Sequence, residues 1–392
     1  MLVAICSGDE PPSVSRLRLR GERYLQAVKK MGLLVDWIHI GSKLALHRLN
    51  RTNCDVVHIH NVHGSWMSLK ALSALCHRVP TVWTLHDEWA LTGGLCYDLS
   101  HVGGKYGQEI RRMPGTDMCF PDSTAAQRFK RHLRDLLPQP SLVVCPSAYM
   151  EGLMHQSGKF PGVPCARVPY GLGFKDLPAT ALPRREAREL MGFQPDDRVV
   201  LLLAAHLNSC FKGQSLAIDA LKSLPADEFK VLVIGRGGEK IAGSIPQQVV
   251  AKGFLNDDKM IAAAYRAADV TLVPSVADNF PYVALESMAC ATPLVAFRIG
   301  GLTEMVGPNE RGLLATPFEV SEFAGNIKSL LDSAEVRERM GNAGRRWVAE
   351  NCGMAQWSER HRQLYQTAIE AFSARNSSMS MRSPAPTTKV VQ

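Results

Sequence analysis

The segment from residue 268 to residue 306 constrains the fold of this chain more than any other part of the sequence. Val270–Val273 is a short run of β-branched and aliphatic residues, which is typical of a buried parallel strand. A loop follows, a helix is predicted from about Tyr282, and Pro293–Phe297 forms a second apolar run before the Gly300-Gly301 turn. A strand, a helix and a strand in this order predict an α/β domain built on a parallel sheet.

Two acids flank the start of the predicted helix. Asp278 lies in the loop after the first strand, and Glu286 lies about one turn into the helix. The backbone N–H groups between them, near 280–283, belong to a helix N-terminus and form a natural seat for phosphate. Carboxylates that face hydroxyl groups beside such an anion site suit a nucleotide sugar. An ordinary α/β domain, in which the acids are a cap and a solvated side chain, accounts for the spacing equally well.

The same segment resembles the donor-site signature of family 4 glycosyltransferases, which are retaining enzymes of the GT-B fold. The family pattern has two acids separated by seven residues, a helix of small residues, a strand and a Gly-Gly-x-x-Glu turn. This chain has Asp278 and Glu286 at that spacing, Ser287-Met288-Ala289 in the helix, and Gly300-Gly301 with Glu304 in the turn. The first acid of the family is usually Glu, so Asp278 departs from the pattern. The resemblance implies an α/β protein of two Rossmann-like domains whose parallel sheets face a central cleft.

Length and cysteine usage agree with such a protein. A chain of 392 residues predicts two domains, each large enough for its own core. No apolar run approaches the ~20 residues of a membrane span, and Met1–Cys6 is interpreted as a first strand rather than a signal peptide. The ten cysteines include no Cys-x-x-Cys pair, which argues against a disulfide framework and a zinc knuckle. These features predict a protein of the reducing cytoplasm.

The formal charge of +8 is modest for this length and favours an anionic lipid or a phosphorylated substrate as partner. The charge is too diffuse to indicate a nucleic acid, and no nucleic-acid motif accompanies it. Arg16, Arg18 and Arg20 form either a solvated helix face or a patch for an anionic acceptor or a membrane surface. Peripheral contact with the inner face of a membrane therefore stays open, and the sequence predicts no oligomeric state.

Apolar runs alternate with helical patterns in the first half, which predicts a parallel sheet with ligands bound beyond the carboxyl ends of its strands. The predicted strands are Leu2–Cys6, Leu34–Ile40, Asp55–His60, Thr81–His86 and Leu142–Pro146, and the predicted helices are Ser13–Met31, Ser65–Cys76 and Thr124–Leu137.

Histidines stand at two of these strand ends. His58-Ile59-His60-Asn61-Val62-His63 either binds a metal, is structural, or lines an acceptor cleft, and no Asp before the last His supports metallo-hydrolase chemistry. His60 and Asn61 are the predicted acceptor-cleft residues. His86 resembles the family's strand-end His, which lies near the donor sugar and is therefore predicted to be catalytic. An imidazole there can bond a sugar hydroxyl or stabilise developing charge, while Asp87 either orients it or caps the next turn.

Further donor-site residues follow from the resemblance in the second half. Lys212-Gly213 matches the Lys-Gly of a basic pair that clamps the donor diphosphate, but Leu207 stands where the family has Arg. Residues 250–257 resemble the strand and loop whose backbone holds the nucleotide base. At 8–13 this chain has Gly-Asp-Glu-Pro-Pro-Ser instead of a Gly-Gly turn. The predicted donor-binding residues are Lys212, Gly213, Phe254, Leu255, Asn279, Phe280, Pro281, Tyr282 and Glu286.

The predicted domains are residues 1–170, on the acceptor side, and residues 171–353, which bind the nucleotide sugar. A helix at 354–372 is predicted to cross back to the first domain, and the polar residues 373–392 are predicted to be disordered. Thr316–Glu319 has the sequence of a capping box with Pro at the first helical position. Residues 95–134 are basic, resemble remnants of a Cys-containing insertion of some exopolysaccharide transferases, and are predicted to be a flexible loop over the acceptor cleft.

The resemblance implies transfer of a sugar from a nucleoside-diphosphate sugar to a glycan or lipid-linked acceptor, with retention of anomeric configuration. Asp278 is predicted to face the donor sugar, and Glu286 is predicted to bind the ribose hydroxyls. Because protein groups can offset the diphosphate charge, no cofactor and no obligatory metal are predicted. A nucleotide-sugar hydrolase or epimerase and a catalytically degenerate nucleotide-sugar-binding protein are the alternatives.

Overall fold

The computed structural model describes residues 2–5, 54–61, 69–113, 119–120, 137–173, 182–207 and 209–381. Several predictions lie outside these residues: the Gly8–Ser13 turn, the arginines at 16–20, the helix Ser13–Met31, the strand Leu34–Ile40 and nearly all of the helix Thr124–Leu137.

The first domain is a parallel five-stranded sheet in the order β1-β2-β3-β4-β5. Each described strand lies within a segment that its apolar run predicted, except β5, which the sequence analysis did not identify. The strands are β1 Leu2–Ile5, β2 Val56–Ile59, β3 Thr81–Thr84, β4 Leu142–Cys145 and β5 Cys165–Arg167, and the helices are α1 Leu69–Arg78, α2 Trp89–Thr92, α3 Gly104–Arg111 and α4 Ala148–Ser157.

Side chains alternate between the two faces of this sheet, as strand geometry requires. Val57 and Val143 lie on one face and pack with residues of α1 and α4, such as Leu72 and Met150. Val82 and its neighbours on the other face pack against the last helix of the chain through residues that include Ala368, Trp357 and Tyr365. Trp357 and Tyr365 thus help to pack this last helix against the first domain.

The second domain is a parallel six-stranded sheet in the order β11-β10-β9-β6-β7-β8. Because β7 and β8 lie on one side of β6 and β9 lies on the other, the strand order reverses beside β6, where α/β proteins bind ligands. The strands are β6 Val199–His206, β7 Lys230–Arg236, β8 Val249–Ala251, β9 Val270–Val273, β10 Leu294–Phe297 and β11 Gly312–Ala315. The helices are α5 Arg184–Met191, α6 Gln214–Lys222, α7 Glu239–Ala242, α8 Asp258–Ala267, α9 Tyr282–Ala289, α10 Leu302–Val306, α11 Val320–Asp332, α12 Ala334–Asn351 and α13 Met354–Met381.

The described part of the insertion packs on the second domain, so the prediction of a loop over the acceptor cleft is wrong for residues 95–113. Leu99, Ile110 and Cys119 are buried in one cluster with residues of β6 and α6. Lys105 and Tyr106 at the start of α3 bond the carboxylate of Asp219 on α6, at 2.6 and 2.9 Å. The apolar residues of this otherwise polar segment are buried against the second domain, and this packing holds the segment in place.

Two predicted helix ends differ in the structure. The helix expected at Thr316–Glu319 begins only at Val320, because Phe318 has a φ of +69°, which is outside the helical region. The last helix, α13, continues past the predicted end at Phe372 to Met381. Arg375 on this extension donates to the carbonyls of Gln139 and Cys76 in the first domain, at 3.1 and 2.7 Å. These contacts hold a segment that its polar composition had marked as disordered.

Candidate functional site

A cavity of about 350 Å³ lies at the carboxyl ends of β6 and β9, where the strand order reverses. Its walls are mostly apolar, and Lys212 is the basic residue among its lining residues. Gly213 has a φ of +64°, and a Cβ at this position would lie 1.8 Å from the carbonyl oxygen of Pro274. Only glycine therefore lets α6 begin so close to the end of β9, which explains the Lys-Gly pair in physical terms.

Lys212 and Asp278 form an ion pair at this cavity. The Lys212 ammonium lies 2.7 Å from Asp278 Oδ2, and the two side chains are 31% and 10% exposed. Ser275 Oγ donates to the same carboxylate oxygen at 3.3 Å. The structure thus brings together the residue predicted to hold the diphosphate and the residue predicted to face the sugar, and joins them to each other.

Asn279 joins the two domains and does not offer its side chain to the cavity. The residue is 1% exposed. Its amide nitrogen donates to the carbonyls of Leu85 and His86 at 3.0 and 3.1 Å, and its carbonyl oxygen accepts from Ser147 Oγ at 2.5 Å. First-domain groups use both the donor and the acceptor atoms of this side chain, and the donor-binding role of Asn279 stays a prediction.

The Gly-Gly turn forms the neighbouring part of this interface. A Cβ on Gly300 would lie 1.9 Å from the Asp278 carbonyl oxygen, and a Cβ on Gly301 would lie 1.7 Å from that of Asn279. Three residues after Gly301, α10 presents Glu304, whose carboxylate accepts from the Ala148 backbone N–H at the start of α4, at 2.8 Å. The turn therefore places the Asp278–Asn279 loop between the domains.

Aromatic rings close one side of the interface. Phe280 is 2% exposed and packs edge-on against Tyr170, with ring centroids 5.7 Å apart. The Phe280 side chain is therefore a core residue, and the role predicted for Phe280 in donor binding stays a prediction for its backbone. Tyr282 is 49% exposed and stacks on Tyr170 at 5.2 Å with nearly parallel planes. Pro281 precedes α9 as its N-cap and lines the cavity.

Glu286 lies on α9 and accepts a hydrogen bond from the hydroxyl of the buried Tyr265 at 2.8 Å. Burial raises the pKa of Glu286 to about 7, the Tyr265 bond lowers it, and the charge of Asp258 raises it. Phe254 and Leu255 follow β8. Phe254 is exposed beneath the Arg236 guanidinium, 4.9 Å from its ring centroid, whereas Leu255 packs against the core.

On the first-domain side, His86 lies between two hydrogen-bonding partners. Its Nε2 is 2.8 Å from His60 Nδ1, and its Nδ1 is 2.6 Å from the Tyr170 hydroxyl. A pocket of about 210 Å³ is lined by His60, Asn61, His86 and Asp87 among others. The predicted acceptor-cleft residues and the predicted catalytic His therefore share one pocket. Asp87 Oδ1 accepts from the Trp89 backbone N–H at 3.0 Å, so this carboxylate caps the next turn.

The imidazole row continues inward from His60 to His58, whose rings stack at 4.2 Å. His58 bonds Tyr365 on α13 and Thr84, at 2.9 and 2.8 Å. Burial, and then the nearby His60, His361 and His86, lower the pKa of His58 to about 2. Burial also lowers the pKa of His60. Neutral imidazoles here hold hydrogen bonds rather than charge.

The metal alternative at His58–His63 places its last residue outside the described part of the chain. His58 and His60 use ring nitrogens in the hydrogen bonds above, which competes with metal ligation. Elsewhere among the described residues, Glu151 and His155 on α4 and Cys165 on β5 are close enough together to hold an ion. That the protein needs no metal stays a prediction.

Several residues of the interface were missed by the sequence analysis. Ser147 stands where β4 ends and caps α4 by accepting from Met150 N–H, a position that helix-start signals can identify. Buried Glu88, next to Asp87, accepts from the Tyr149 hydroxyl at 2.6 Å, and burial raises its pKa. The bond between Tyr170 and His86 has no local signal in the sequence.

Two family profiles match the chain one after the other. Residues 3–172 match the profile described as Glycosyltransferase Family 4, and residues 184–347 match Glycosyl transferases group 1. The chain belongs to glycosyltransferase family 4. None of the helices in the described residues combines the length and apolar character needed to cross a bilayer.

Curated relatives of the chain include a 2-deoxystreptamine glucosyltransferase of Streptomyces kanamyceticus, 35% identical over 36% of this chain and 39% of the relative. A D-inositol 3-phosphate glycosyltransferase of Acidothermus cellulolyticus is 54% identical over 37% of this chain and 36% of the relative. The chain thus matches about two fifths of the length of these relatives.

Solved structures show the same GT-B architecture. Sucrose-phosphate synthase from Thermosynechococcus elongatus superposes with a TM-score of 0.66 at 20% identity, over 84% of this chain and 77% of that chain. Anabaena HepE, solved with UDP-glucose, superposes with a TM-score of 0.61 at 17% identity, over 96% and 99%. At these identities the likeness establishes the fold of this chain and no more.

Proposed function

We propose that the protein transfers a sugar from a nucleoside-diphosphate sugar to a hydroxyl group of a glycan or lipid-linked acceptor, with retention of anomeric configuration. The observation that carries the proposal is the Lys212–Asp278 ion pair at the reversal point of the second sheet. It places one cation and one carboxylate where a charged diphosphate and a polyhydroxylated sugar can be bound side by side.

Donor binding follows from the groups around the cavity. Lys212 and the N–H groups at the start of α9 supply positive potential for the diphosphate. Glu286 offers carboxylate oxygens to the ribose hydroxyls while Tyr265 fixes its orientation. The exposed Phe254 ring supplies an apolar surface for the base. The presence of UDP-glucose in the HepE crystal supports a nucleotide sugar as the donor class.

The incoming diphosphate competes with Asp278 for the Lys212 ammonium. When Lys212 turns to the diphosphate, the Asp278 carboxylate becomes available to accept from sugar hydroxyls and to favour positive charge on the sugar ring. An Asp reaches about 1.5 Å less than a Glu. The loop that carries Asp278 must therefore bring its backbone closer to the sugar, or a water must bridge the gap.

His86 contributes from the first domain. His60 and Tyr170 hold its imidazole, and the Asn279 amide holds its carbonyl, so its position depends on both domains. In the reaction the acceptor oxygen attacks the anomeric carbon as the bond to the diphosphate breaks. The acceptor proton passes to the departing phosphate oxygen, so this step requires no side chain as general base. His86 then bonds a sugar hydroxyl and holds the ring during the exchange.

A panel of nucleoside-diphosphate sugars tests the proposal. Donors that raise the melting temperature are assayed for nucleoside-diphosphate release with and without candidate acceptors, in the presence of EDTA. Release that depends on an acceptor, with an NMR anomeric signal that matches the donor, is expected. Release without acceptor indicates a hydrolase, a new free nucleotide sugar indicates an epimerase, and stabilisation without release indicates a binding protein. Activity that EDTA abolishes and a metal restores contradicts the metal-free reaction.

A further inference from the structure

A second cavity lies at the other end of the second sheet, where β6 and β9 begin. It opens to solvent, has a volume of about 1290 Å³ and is lined by six arginines and four acids. Asp269 immediately precedes β9, whereas Lys212 and Asp278 lie beyond the carboxyl end of that strand. The arginines of this cavity, called the arginine cavity below, are Arg184, Arg188, Arg198, Arg266, Arg337 and Arg345.

The centre of the arginine cavity carries an excess of positive charge. Asp269 is buried and accepts from Arg184 Nη1 and Arg188 Nη2, each at 2.7 Å, and from the Val199 backbone N–H at 2.8 Å. Arg337 Nε lies 3.4 Å from the same carboxylate. One negative charge therefore faces three guanidinium groups.

Further arginines add to this excess. Arg266 donates to the carbonyls of Leu182 and Cys290, at 3.3 and 3.2 Å, which satisfies two nitrogens but leaves its charge unbalanced. Asp197, one of the lining acids, is matched by Lys230 at 2.7 Å and so offsets little of the arginine charge. Burial lowers the pKa of Arg184, and although Asp269 raises it, the charges of Arg188, Arg266 and Arg337 lower it further.

We propose that the arginine cavity binds a small anion bearing phosphate groups, with at least two negative charges. Guanidinium groups pair with phosphate oxygens through two parallel N–H bonds, and they remain charged when partly buried. A dianion balances the excess of about two positive charges around Asp269. Arg184, Arg337 and Arg345 contact the anion from α5 and α12. Because the site lies at the opposite end of the sheet from Lys212, it does not depend on the proposed transferase reaction.

Calorimetry with inorganic pyrophosphate, at constant ionic strength and with the full chain, tests the proposal. The test variant combines Arg184→Gln with Arg345→Ala. Its matched control combines Arg185→Gln with Arg346→Ala, which remove the same charges from adjacent positions on α5 and α12 that do not line the cavity. At least tenfold weaker binding is expected in the test variant, and a change of less than twofold is expected in the control.

Pyrophosphate also resembles the diphosphate of a nucleotide sugar, so Lys212→Ala is titrated in parallel and is expected to keep this binding. The proposal is overturned by any of three results: no binding by the parent, equal loss in test and control pairs, or loss in Lys212→Ala with no loss in the test pair. Arg345→Ala alone, at an exposed position, replaces the test pair if the pair does not fold.

Lipid headgroups carry the same chemistry as a free phosphate compound. Sedimentation with phosphatidylglycerol vesicles distinguishes the two sources. Vesicle binding that is lost in the test pair, together with no pyrophosphate binding by the parent, assigns the cavity to a membrane surface and overturns a free anion as its occupant. Pyrophosphate binding with no difference in vesicle binding between the pairs supports the free anion.

Discussion

The ammonium of Lys212, which lines the cavity, lies 2.7 Å from the carboxylate of Asp278, 66 positions away in the sequence. Lys212 lies two residues before the start of α6, and Asp278 lies in the loop after β9. The pair means that each residue is held in place before a ligand arrives, and that ligand binding exchanges one ionic partner for another.

Lys212→Ala is expected to weaken nucleoside-diphosphate binding by about 1.5–3 kcal/mol, the loss typical of a hydrogen bond to a charged group. We expect a loss near the lower end of this range, because nucleoside-diphosphate binding must also separate Lys212 from Asp278 in the parent protein. Calorimetry with UDP or GDP, whichever binds, measures the change. Lys222→Ala, which removes a charge at the exposed end of the same helix, serves as the control. Unchanged affinity in Lys212→Ala removes this residue from the site.

Asp278→Asn is expected to lower turnover at saturating donor by roughly tenfold or more, which corresponds to about 1.4 kcal/mol of barrier. The substitution keeps the shape of the side chain and removes the charge that faces the sugar. Nucleoside-diphosphate affinity is not expected to fall, because the change also releases Lys212 from its ion pair. Initial rates and calorimetry measure the two effects, with Asp227→Asn at an exposed position before β7 as control. Turnover at the parent rate shows that the carboxylate is only a loop residue.

Asn279→Ala is expected to destabilise the association of the two domains, because the buried carbonyls of Leu85 and His86 lose their shared donor. An unsatisfied buried polar group costs about 1–3 kcal/mol. Urea unfolding measures the loss, and Asn256→Ala at an exposed position is the control. Asn279→Asp is expected to be worse, since a carboxylate then faces two carbonyl oxygens. If either variant unfolds at the parent's urea midpoint, the amide contacts do not stabilise the interface.

Glu286 is expected to make the stability of the protein depend on pH. Its folded-state pKa of about 7 lies above the ordinary value of 4.5, so the folded state binds more protons than the unfolded state between these values. Stability therefore falls as pH rises from about 4.5 to 7, by up to about 3 kcal/mol for this group. Glu286→Gln removes this dependence. Urea unfolding of both proteins at pH 5 and pH 8 gives the difference, and parallel pH profiles contradict the assignment.

Local pattern was enough to predict most of the described framework. Val270–Val273 and Leu294–Phe297 were predicted as strands because each is an apolar run long enough to form a buried strand. The helix α9 begins at Tyr282, as predicted. Lys212-Gly213 was recognised from its resemblance to the family's Lys-Gly pair, and the structure adds the physical reason for the glycine, which is its φ of +64° and its close approach to the Pro274 carbonyl oxygen. These strand and helix signals depend on neighbours along the chain, which a sequence displays directly.

Only the tertiary structure decided what many site residues contact. Asn279 was predicted to bind a donor, yet its partner Leu85 lies 194 positions away in the other domain. The pairing of His86 with Tyr170, and of Asp269 with Arg184 and Arg188, likewise joins residues from distant segments. A polar side chain bonds whichever group the packed domains place within about 3 Å of it. The sequence determined which residues carry the chemistry. The packing of the two domains decided which of them form hydrogen bonds between the domains, which form ion pairs and which line a cavity.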